Sequence, residues 1–352
     1  MSKLLACLAL TVLLGGCASD TKPVDPIDAL MQRYTGDVPG ASLLVLKDGK
    51  PIVRRSYGLA NLEDDDKTTP ATNYRLASVS KQFTAAAILL LAENGRLNLD
   101  DPVRRWLPSL PETAATVTLR QLLTHTGGLV DYEDLIPPGT TGQVSDNDVL
   151  RLLSATPKTY FAPGTAYRYS NSGYVLLGLV VERASGISLP LYLQQRIFQP
   201  LHMDHTLLYE RGGPDVADRA YGYSEENGSW TRTDQSVTSA TRGDGGIYSS
   251  IDDLASWDAA LYDDRLLGDA SRTLAFTAHT ATDDPDVKYG FGWRITGDTL
   301  WHSGETIGFR NVIVRYPKQR LTVVILSNRD DPEPYATAKR IAALFLEAGP
   351  AP

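Results

Sequence analysis

A serine and a lysine stand three residues apart in residues 75–95, RLASVSKQFTAAAILLLAENG, at the head of an apolar run with helical spacing. Residues i and i+3 of a helix share one face, so the Lys81 amine can reach the Ser78 hydroxyl, and the helix N-terminus favours negative charge there. A serine hydroxyl needs a base to become a nucleophile, and a lysine is one only if burial or a cationic neighbour lowers its pKa. This segment alone fits an N-cap serine beside a solvated lysine equally well.

Two later segments place polar residues at the ends of predicted elements. Tyr169–Asn171 precedes a helical pattern, and His302–Gly304 ends a predicted strand. Separately they fit a helix-initiating turn and a polar edge strand. Together with Ser78, in this order and at these separations, they resemble the three-element site of the class C β-lactamases, D,D-peptidases and related esterases, a serine β-lactamase-like and penicillin-binding protein family. The stretches LLTHTGGL, GDGGIYSSIDDLASW and YGFGWRI extend the resemblance over residues 27–348.

The resemblance implies a role for each residue of the set. Ser78 would attack a carbonyl carbon and form an acyl-enzyme, while Lys81 and Tyr169 would share the proton transfers. Which of these two is the base stays open. Asn171 would hydrogen-bond the substrate amide and help to hold Lys81. The backbone N–H groups of Ser78 and Glu305 would form the oxyanion hole, in which one donor is worth about a hundredfold or more in rate.

The third element, His302, Ser303 and Gly304, is where the chain departs from many β-lactamases of this kind, which carry lysine at its first position. A histidine is largely neutral at pH 7, so a fixed charge for a substrate carboxylate is missing there. Arg310 is the candidate to supply that charge. Glu305 stands where the family often has a small residue, and its carboxylate would disfavour anionic substrates. Both departures predict weak β-lactamase activity at most.

The elements around these residues predict an α/β (α+β) fold. Two β-rich runs flank Asp48-Gly49, a hairpin signal; a mainly helical stretch follows, and then strand patterns and a last amphipathic helix. This order predicts an antiparallel sheet split in sequence, flanked by N- and C-terminal helices, with a helical region inserted. We expect one catalytic domain at 27–349. Its sheet part would cover about 27–77 and 287–349, and its helical part about 78–286.

The N-terminus, MSKLLACLALTVLLGGCASD, has the layout of an export signal. Lys3 gives a short positive region, residues 4–14 an apolar run too short to span a bilayer, and Gly15-Gly16 a small-residue cleavage site. A plain secretory signal fits these features. Residues 14–17, however, resemble a bacterial lipobox, after which the cysteine is lipidated.

The lipobox implies a signal peptide at 1–16, a lipidated Cys17 and a polar tether at 17–26. The predicted protein is therefore exported to the cell envelope and bound to a membrane through its N-terminal lipid. Ala18, in place of aspartate, favours the periplasmic face of the outer membrane in a typical Gram-negative host.

Composition and motifs exclude several other classes. The chain has 352 residues, with 34 basic against 42 acidic side chains and no Lys/Arg-rich run, so nucleic acid is not an expected partner. The only cysteines are Cys7 and Cys17, which leaves no thiol nucleophile after processing. No histidine spacing predicts a metal site and no nucleotide fingerprint occurs, so no metal and no cofactor are expected. His125 is not expected in a Ser-His-Asp triad, because no G-x-S-x-G elbow is present.

The sequence therefore predicts a cofactor-free serine hydrolase of the D,D-carboxypeptidase or esterase type. Its candidate substrates are a D-Ala-D-Ala-type peptide, a small ester and a β-lactam, in decreasing order. The alternative is a non-catalytic lipoprotein that keeps the cleft and binds penicillin or peptide. The complete set of Ser78, Lys81, Tyr169 and Asn171 speaks against it. No feature identifies a protein partner.

Overall fold

The structure, a computed structural model, describes residues 25–346. The predicted signal peptide, Cys17 and most of the tether lie outside these residues. Within them no single helix is long and apolar enough to cross a membrane. Two consecutive helical segments, Asn171–Ser185 and Leu189–Phe198, reach the required length and apolar composition only when taken together, and they are bent by 75° where they meet.

Ten helices and fifteen strands are assigned in the described part of the chain. The helices are α1 (Pro26–Leu30), α2 (Lys81–Glu93), α3 (Val103–Trp106), α4 (Leu119–Leu123), α5 (Asp146–Ser154), α6 (Asn171–Ser185), α7 (Leu189–Leu193), α8 (Ile251–Ala260), α9 (Asp269–Phe276) and α10 (Tyr335–Leu346). The strands are β1 (Ala41–Lys47), β2 (Lys50–Tyr57), β3 (Leu59–Asn61), β4 (Asp66–Lys67), β5 (Tyr74–Arg75), β6 (Leu207–Leu208), β7 (Tyr223–Glu226), β8 (Ser229–Arg232), β9 (Ile247–Ser249), β10 (Thr280–Ala281), β11 (Lys288–Tyr289), β12 (Arg294–Thr296), β13 (Thr299–Thr306), β14 (Phe309–Tyr316) and β15 (Leu321–Ser327).

The main sheet joins the two ends of the chain. It has eight antiparallel strands in the order β10-β11-β12-β13-β14-β15-β1-β2. The N-terminal hairpin turns at Asp48-Gly49, where both residues have positive φ (52° and 74°), and β1 pairs with β15 from Ala41↔Ser327 to Lys47↔Leu321. The predicted fold, an antiparallel sheet split in sequence around a helical region, is confirmed.

Both faces of this sheet are covered, so its central strands are apolar on both sides. Along β1, Leu44 and Leu46 pack into a core shared with the helical region, whereas Leu43 and Val45 pack against α1 and α10. Successive side chains of a strand point to opposite faces, and each buried Leu or Val contributes about 1.5–3 kcal/mol to folding. The terminal helices thus form one layer and the inserted region the other.

Several helices of the inserted region begin at side-chain caps, where Thr, Ser and an acidic or amide residue follow the pattern typical of helix starts. Thr118 and Ser145 each form a reciprocal capping box at the start of α4 and α5. At the start of α8, Ser250 accepts a hydrogen bond from the Asp253 N–H at 3.2 Å. The Asp253 carboxylate does not complete a capping box by bonding back to Ser250; it accepts hydrogen bonds from the His205 N–H and the Thr206 hydroxyl. The region also contains small sheets, β5-β9-β6 and β7-β8, that sequence patterns did not indicate.

Candidate active site

Ser78 lies in a tight 3₁₀ turn, Ala77–Ser80, that runs directly into α2. It is partly exposed in an otherwise buried stretch, so the turn presents its hydroxyl at the surface of the core. The preceding residue, Ala77, has a φ of 49°. A left-handed non-glycine residue costs on the order of 1–3 kcal/mol and persists only where its surroundings hold it. Here Leu76 donates its N–H to the Ile247 carbonyl of β9 at 2.8 Å.

Strand β13 holds the same turn from the other side. A Cβ atom on Gly304 would lie 2.0 Å from the Leu76 carbonyl oxygen, so only glycine permits this approach of strand to turn. The next residue, Glu305, follows at the edge of the cleft with 55% of its side chain exposed. The structure thus brings the first and third predicted elements into contact. Ser303, in the third element, is half-buried.

Lys81 is fully buried in the first turn of α2, and its ammonium group is satisfied completely. Nζ donates to Ser78 Oγ at 3.0 Å, to Asn171 Oδ1 at 2.7 Å and to the Asp244 carbonyl at 2.9 Å. An ammonium group has three donors, one for each partner; when the amine has lost one proton, its lone pair can accept the proton of Ser78 instead. The amine is thereby aimed at the serine hydroxyl and closed off from bulk water.

Asn171 is the first residue of α6, and a carboxylate fixes that end of the helix. Asp131 Oδ2 accepts from Ser170 Oγ at 2.9 Å, from the Asn171 N–H at 2.7 Å and from the Ser172 N–H at 3.2 Å. A carboxylate in this position satisfies free N–H groups and complements the helix dipole. Sequence analysis did not single out Asp131, although an acidic residue is a common partner for a helix N-terminus.

Tyr169 packs its ring beside the amine and does not bond the serine directly. Lys81 Nζ lies 5.0 Å from the Tyr169 ring centroid, and the Arg294 guanidinium carbon lies 5.4 Å from the same centroid. Among residues 25–346 the Tyr169 hydroxyl forms no hydrogen bond with Ser78 or Lys81. Catalytic hydrogen bonds are often long in a free enzyme and shorten when substrate binds, so this spacing is compatible with a proton relay.

His125 lies behind Tyr169 and orients it. The two rings lie 4.3 Å apart between centroids, and His125 Nδ1 accepts the Ser170 N–H at 3.1 Å. The proton of the neutral ring is therefore on Nε2. Burial, followed by the charge of Lys81, holds the pKa of His125 well below 6.5. His125 thus supports the site as an uncharged ring.

His302 is also buried, with 1% of its surface exposed. Its Nε2 lies 2.9 Å from the Tyr289 hydroxyl and its Nδ1 lies 2.6 Å from the Ser303 carbonyl oxygen, so Nδ1 carries the proton and Nε2 accepts one from tyrosine. Burial and the nearby Arg294 charge hold the pKa of His302 well below its ordinary value. The residue that replaces the lysine of many relatives is therefore neutral and faces the interior.

Arg310 is held away from the cleft. Its Nη1 donates to the carbonyl oxygens of Thr306 and Phe309 at 2.8 and 2.9 Å, and its Nε lies 4.0 Å from the Glu305 carboxylate. The guanidinium is used in closing the β13–β14 turn. The structure does not bring the Arg310 guanidinium together with Ser78.

A small cleft with a mostly polar lining opens in front of Ser78. The lining includes Ser78, Tyr132, Glu133, Asn171, Asp244 and Glu305. Sequence analysis missed Glu133 and Asp244. Asp244 lies in the GDGGIYSSIDDLASW stretch that supports the resemblance, whereas nothing in the sequence around Glu133 signals a role in the site. Within the described residues no group of three or more His, Cys, Asp or Glu side chains is arranged to hold a metal ion.

A protein-family model described as Beta-lactamase matches residues 27–347. The chain belongs to the beta-lactamase family. This confirms the resemblance stated from the three sequence elements. The family is one of serine hydrolases, in agreement with the position of Ser78 at the head of α2.

Individual relatives agree with this assignment. The chain is 34% identical to "Penicillin-binding protein 4*" of Bacillus subtilis over 88% of its own length and 72% of that protein. It is 30% identical to "Protein flp" of Staphylococcus aureus over 86% of its length, and it spans only 62% of that longer protein. The crystal structure of a penicillin-binding protein from Bacillus halodurans superimposes with a TM-score of 0.80 at 29% identity, covering 91% of this chain and 99% of that one.

Proposed function

We propose that the protein is an acyl-transferring hydrolase that cleaves an amide or ester bond in the cell envelope through an acyl-enzyme at Ser78. The observation that carries the proposal is the environment of Lys81, whose buried amine contacts Ser78 Oγ at 3.0 Å and is held by Asn171 and the Asp244 carbonyl. A nucleophile within hydrogen-bond reach of a base that a third group orients is the arrangement that covalent catalysis requires.

The proposed reaction has two halves. In acylation, Ser78 Oγ attacks the carbonyl carbon while its proton passes to the basic pair, Lys81 and Tyr169, and then to the leaving amine or alcohol. In deacylation, water attacks the acyl carbon, gives its proton to the same pair and returns Ser78 to its free form. The backbone N–H groups of Ser78 and Glu305 are the proposed donors to the carbonyl oxygen.

The proposed substrate order is a D-Ala-D-Ala-type peptide, a small ester and, weakly, a β-lactam. The similarity to two penicillin-binding proteins supports a substrate with the shape of a peptide or a β-lactam. The neutral, inward-facing His302 supports the expectation of weak β-lactamase activity, because it offers no charge to a substrate carboxylate. The envelope location rests on the predicted lipid at Cys17 and remains a proposal.

Steady-state turnover of p-nitrophenyl acetate and of a fluorescent penicillin tests the proposal. We expect measurable hydrolysis by the wild-type chain that disappears in Ser78→Ala, with an unchanged circular dichroism spectrum. Inertness of the wild-type protein towards both compounds and towards a fluorophosphonate would favour a non-catalytic binding protein instead.

A further inference from the structure

Arg242 holds three carboxylates around one guanidinium. Its Nε lies 3.0 Å from Asp146 Oδ2, its Nη2 3.2 Å from Glu182 Oε1 and its Nη1 3.0 Å from Glu210 Oε1. Asp146 is the first residue of α5, Glu182 lies in α6 and Glu210 follows β6. A single side chain, at the start of the segment that leads to β9, therefore joins three separate parts of the helical region.

Asp146 binds the backbone of Arg242 as well as its side chain. The residue is 1% exposed, and its Oδ1 accepts the Arg242 N–H at 2.9 Å. Burial raises the pKa of Asp146 to about 7, against the opposing effect of the guanidinium. Without Arg242 the carboxyl would take up a proton and lose its charged partner at the same time. The position of the Arg242 backbone is thus fixed by a group outside the site.

The segment that follows Arg242 contacts α2 and the turn that carries Ser78. Its hydrogen bonds are Thr84 Oγ1 to the Gly243 carbonyl at 2.7 Å, Lys81 Nζ to the Asp244 carbonyl at 2.9 Å and the Ile247 N–H to Ser80 Oγ at 3.2 Å. The second of these bonds orients the catalytic amine. Because the acceptor is a backbone oxygen, its position matters for this contact, and the charge of the Asp244 side chain does not.

The other side chains of this segment hold it weakly. Residues 243, 245 and 246 are glycines, and ordering a glycine costs more backbone entropy than ordering any other residue. The Asp244 carboxylate accepts a long hydrogen bond of 3.3 Å from the Tyr132 hydroxyl, and its Oδ1 has no partner among the described residues. Arg242 is therefore the side chain that ties this segment to α5 and α6.

We propose that Arg242 is a positioning residue for Lys81. Its bonds to α5 and α6 set the position of the Asp244 carbonyl, and that carbonyl directs the Lys81 amine towards Ser78. In the part of the chain that the structure describes, Arg242 does not line the cleft, so it acts on the reaction through the segment and not on the substrate. The inference rests on the proposed hydrolase function and adds to it a residue that the family resemblance did not include.

Arg242→Gln in the purified full chain tests the inference. We expect kcat for p-nitrophenyl acetate to fall by about tenfold to a hundredfold, the range that a displacement of about 1 Å beside the chemistry costs. KM should change by less than about threefold, because the cleft keeps its lining and only the chemical step is impaired. The rate of labelling by a fluorophosphonate should fall as well, since that reaction also needs an activated Ser78 hydroxyl.

Arg242→Lys is the conservative variant. Lysine keeps the charge but has no planar fork, so it cannot bind three carboxylates in this geometry. Its kcat should lie between those of Arg242→Gln and the wild type. Should Arg242→Gln fail to fold, Arg242→Lys decides alone: a kcat below the wild-type value at unchanged KM supports the positioning role, and a wild-type kcat overturns it.

Arg272→Gln is the matched control. The side chains of Arg272 and Arg242 are 11% and 17% exposed, and Arg272 is likewise bound to acids, Asp264 and Asp269, around α9. Both glutamine variants should lower the free energy of unfolding in urea, but only Arg242→Gln should lower the kcat of the folded protein. An equal loss of kcat in the two variants would indicate a general loosening of the fold and overturn the inference.

The outcomes separate this inference from the proposed function. Wild-type turnover that requires Ser78, together with an unaltered kcat in folded Arg242→Gln, would overturn the positioning role and leave the hydrolase intact. A raised KM at unchanged kcat would also overturn it, because the segment would then shape the cleft and not the amine. A wild-type protein that is inert towards the ester and the fluorophosphonate would instead contradict the hydrolase function, and the inference with it.

Discussion

Lys81 and Arg315 are both fully buried basic side chains, and the fold stabilises them in opposite ways. Arg315 Nε lies 2.6 Å from Asp258 Oδ1, a carboxylate that also accepts from the Thr322 hydroxyl at 2.8 Å. Lys81 has three hydrogen-bond partners, and all of them are uncharged oxygen atoms. Arg315 is in direct contact with a counter-charge, whereas the nearest carboxylates to Lys81 act on it without a direct hydrogen bond.

This difference separates a structural role from a chemical one. A buried ion pair in the sheet–helix interface fixes its partners, and removing one member leaves a buried charge. An amine surrounded by neutral acceptors can exchange a proton with Ser78 without breaking an ion pair. The comparison therefore predicts that Lys81 variants lose rate, whereas variants of the Arg315–Asp258 pair lose stability.

The largest expected effect is on rate. Lys81→Ala should lower kcat/KM for p-nitrophenyl acetate by about 10²–10⁴-fold, the usual contribution of a positioned acid–base group. Circular dichroism should show a folded protein. Lys47→Ala is the matched control, because Lys47 Nζ donates to a backbone carbonyl, that of Gln319 at 2.8 Å, but does so at the surface. Near wild-type rates in Lys81→Ala would refute its role.

The second effect is on stability. Asp258→Asn should lower the free energy of unfolding by about 3–5 kcal/mol, because Arg315 keeps its charge without a counter-ion. The activity of the fraction that remains folded should persist. The control is Asp298→Asn in the exposed pair with Lys318, where the expected loss in urea denaturation is below about 1 kcal/mol. Equal losses at the two sites would contradict the contrast.

His302 shows a third way to bury a basic group, which is to keep it neutral. Its folded pKa lies well below 6.5, so below that pH the unfolded chain takes up a proton that the folded chain does not. The contribution of this residue to the free energy of unfolding should therefore decrease as the pH is lowered from 7 to 5. The destabilisation caused by His302→Gln, measured by urea denaturation, should become smaller over the same range. A pH-independent difference would show that folding leaves the pKa of His302 unchanged, and would contradict its neutral burial.

The smallest effect is expected at Arg310, which is partly exposed and bound to backbone carbonyls. Arg310→Ala should change kcat/KM for a neutral ester by no more than about threefold. Surface substitutions usually change free energies by about half a kcal/mol, which corresponds to a rate change of this size. A large loss confined to anionic substrates would instead support the sequence-based hypothesis that Arg310 supplies the missing charge.

Local signals in the sequence predicted much of the fold. The Asp48-Gly49 hairpin was predicted from two residues. The caps at Thr118 and Ser145 and the end of α6 at Gly186, whose φ is 81°, likewise depend on a few neighbouring residues. The short strands of the inserted region were missed, because two- to four-residue strands carry no recognisable period. The signal peptide, the lipidated Cys17 and the tether stay predictions.

The residues of the site likewise fall into those that are close in the sequence and those that only the fold brings together. Ser78 and Lys81 are three residues apart, so helix geometry alone could place them together. Lys81 and Asp244 are 163 residues apart, and they meet because the loop before β9 packs closely on α6: a Cβ on Gly243 would lie 2.3 Å from the Tyr174 carbonyl oxygen. Such contacts have no local pattern. The family resemblance supplied the catalytic set and Glu305, but the positions of Glu133 and Asp244 in the cleft became visible only in three dimensions.

Labelling with a fluorophosphonate, followed by intact mass and peptide mapping, tests most directly whether Ser78 is the nucleophile that Lys81 activates. The account predicts a single adduct per chain on Ser78, no adduct in Ser78→Ala and a labelling rate reduced by about 10²-fold or more in Lys81→Ala. An adduct on a different residue, or undiminished labelling of either folded variant, would contradict it.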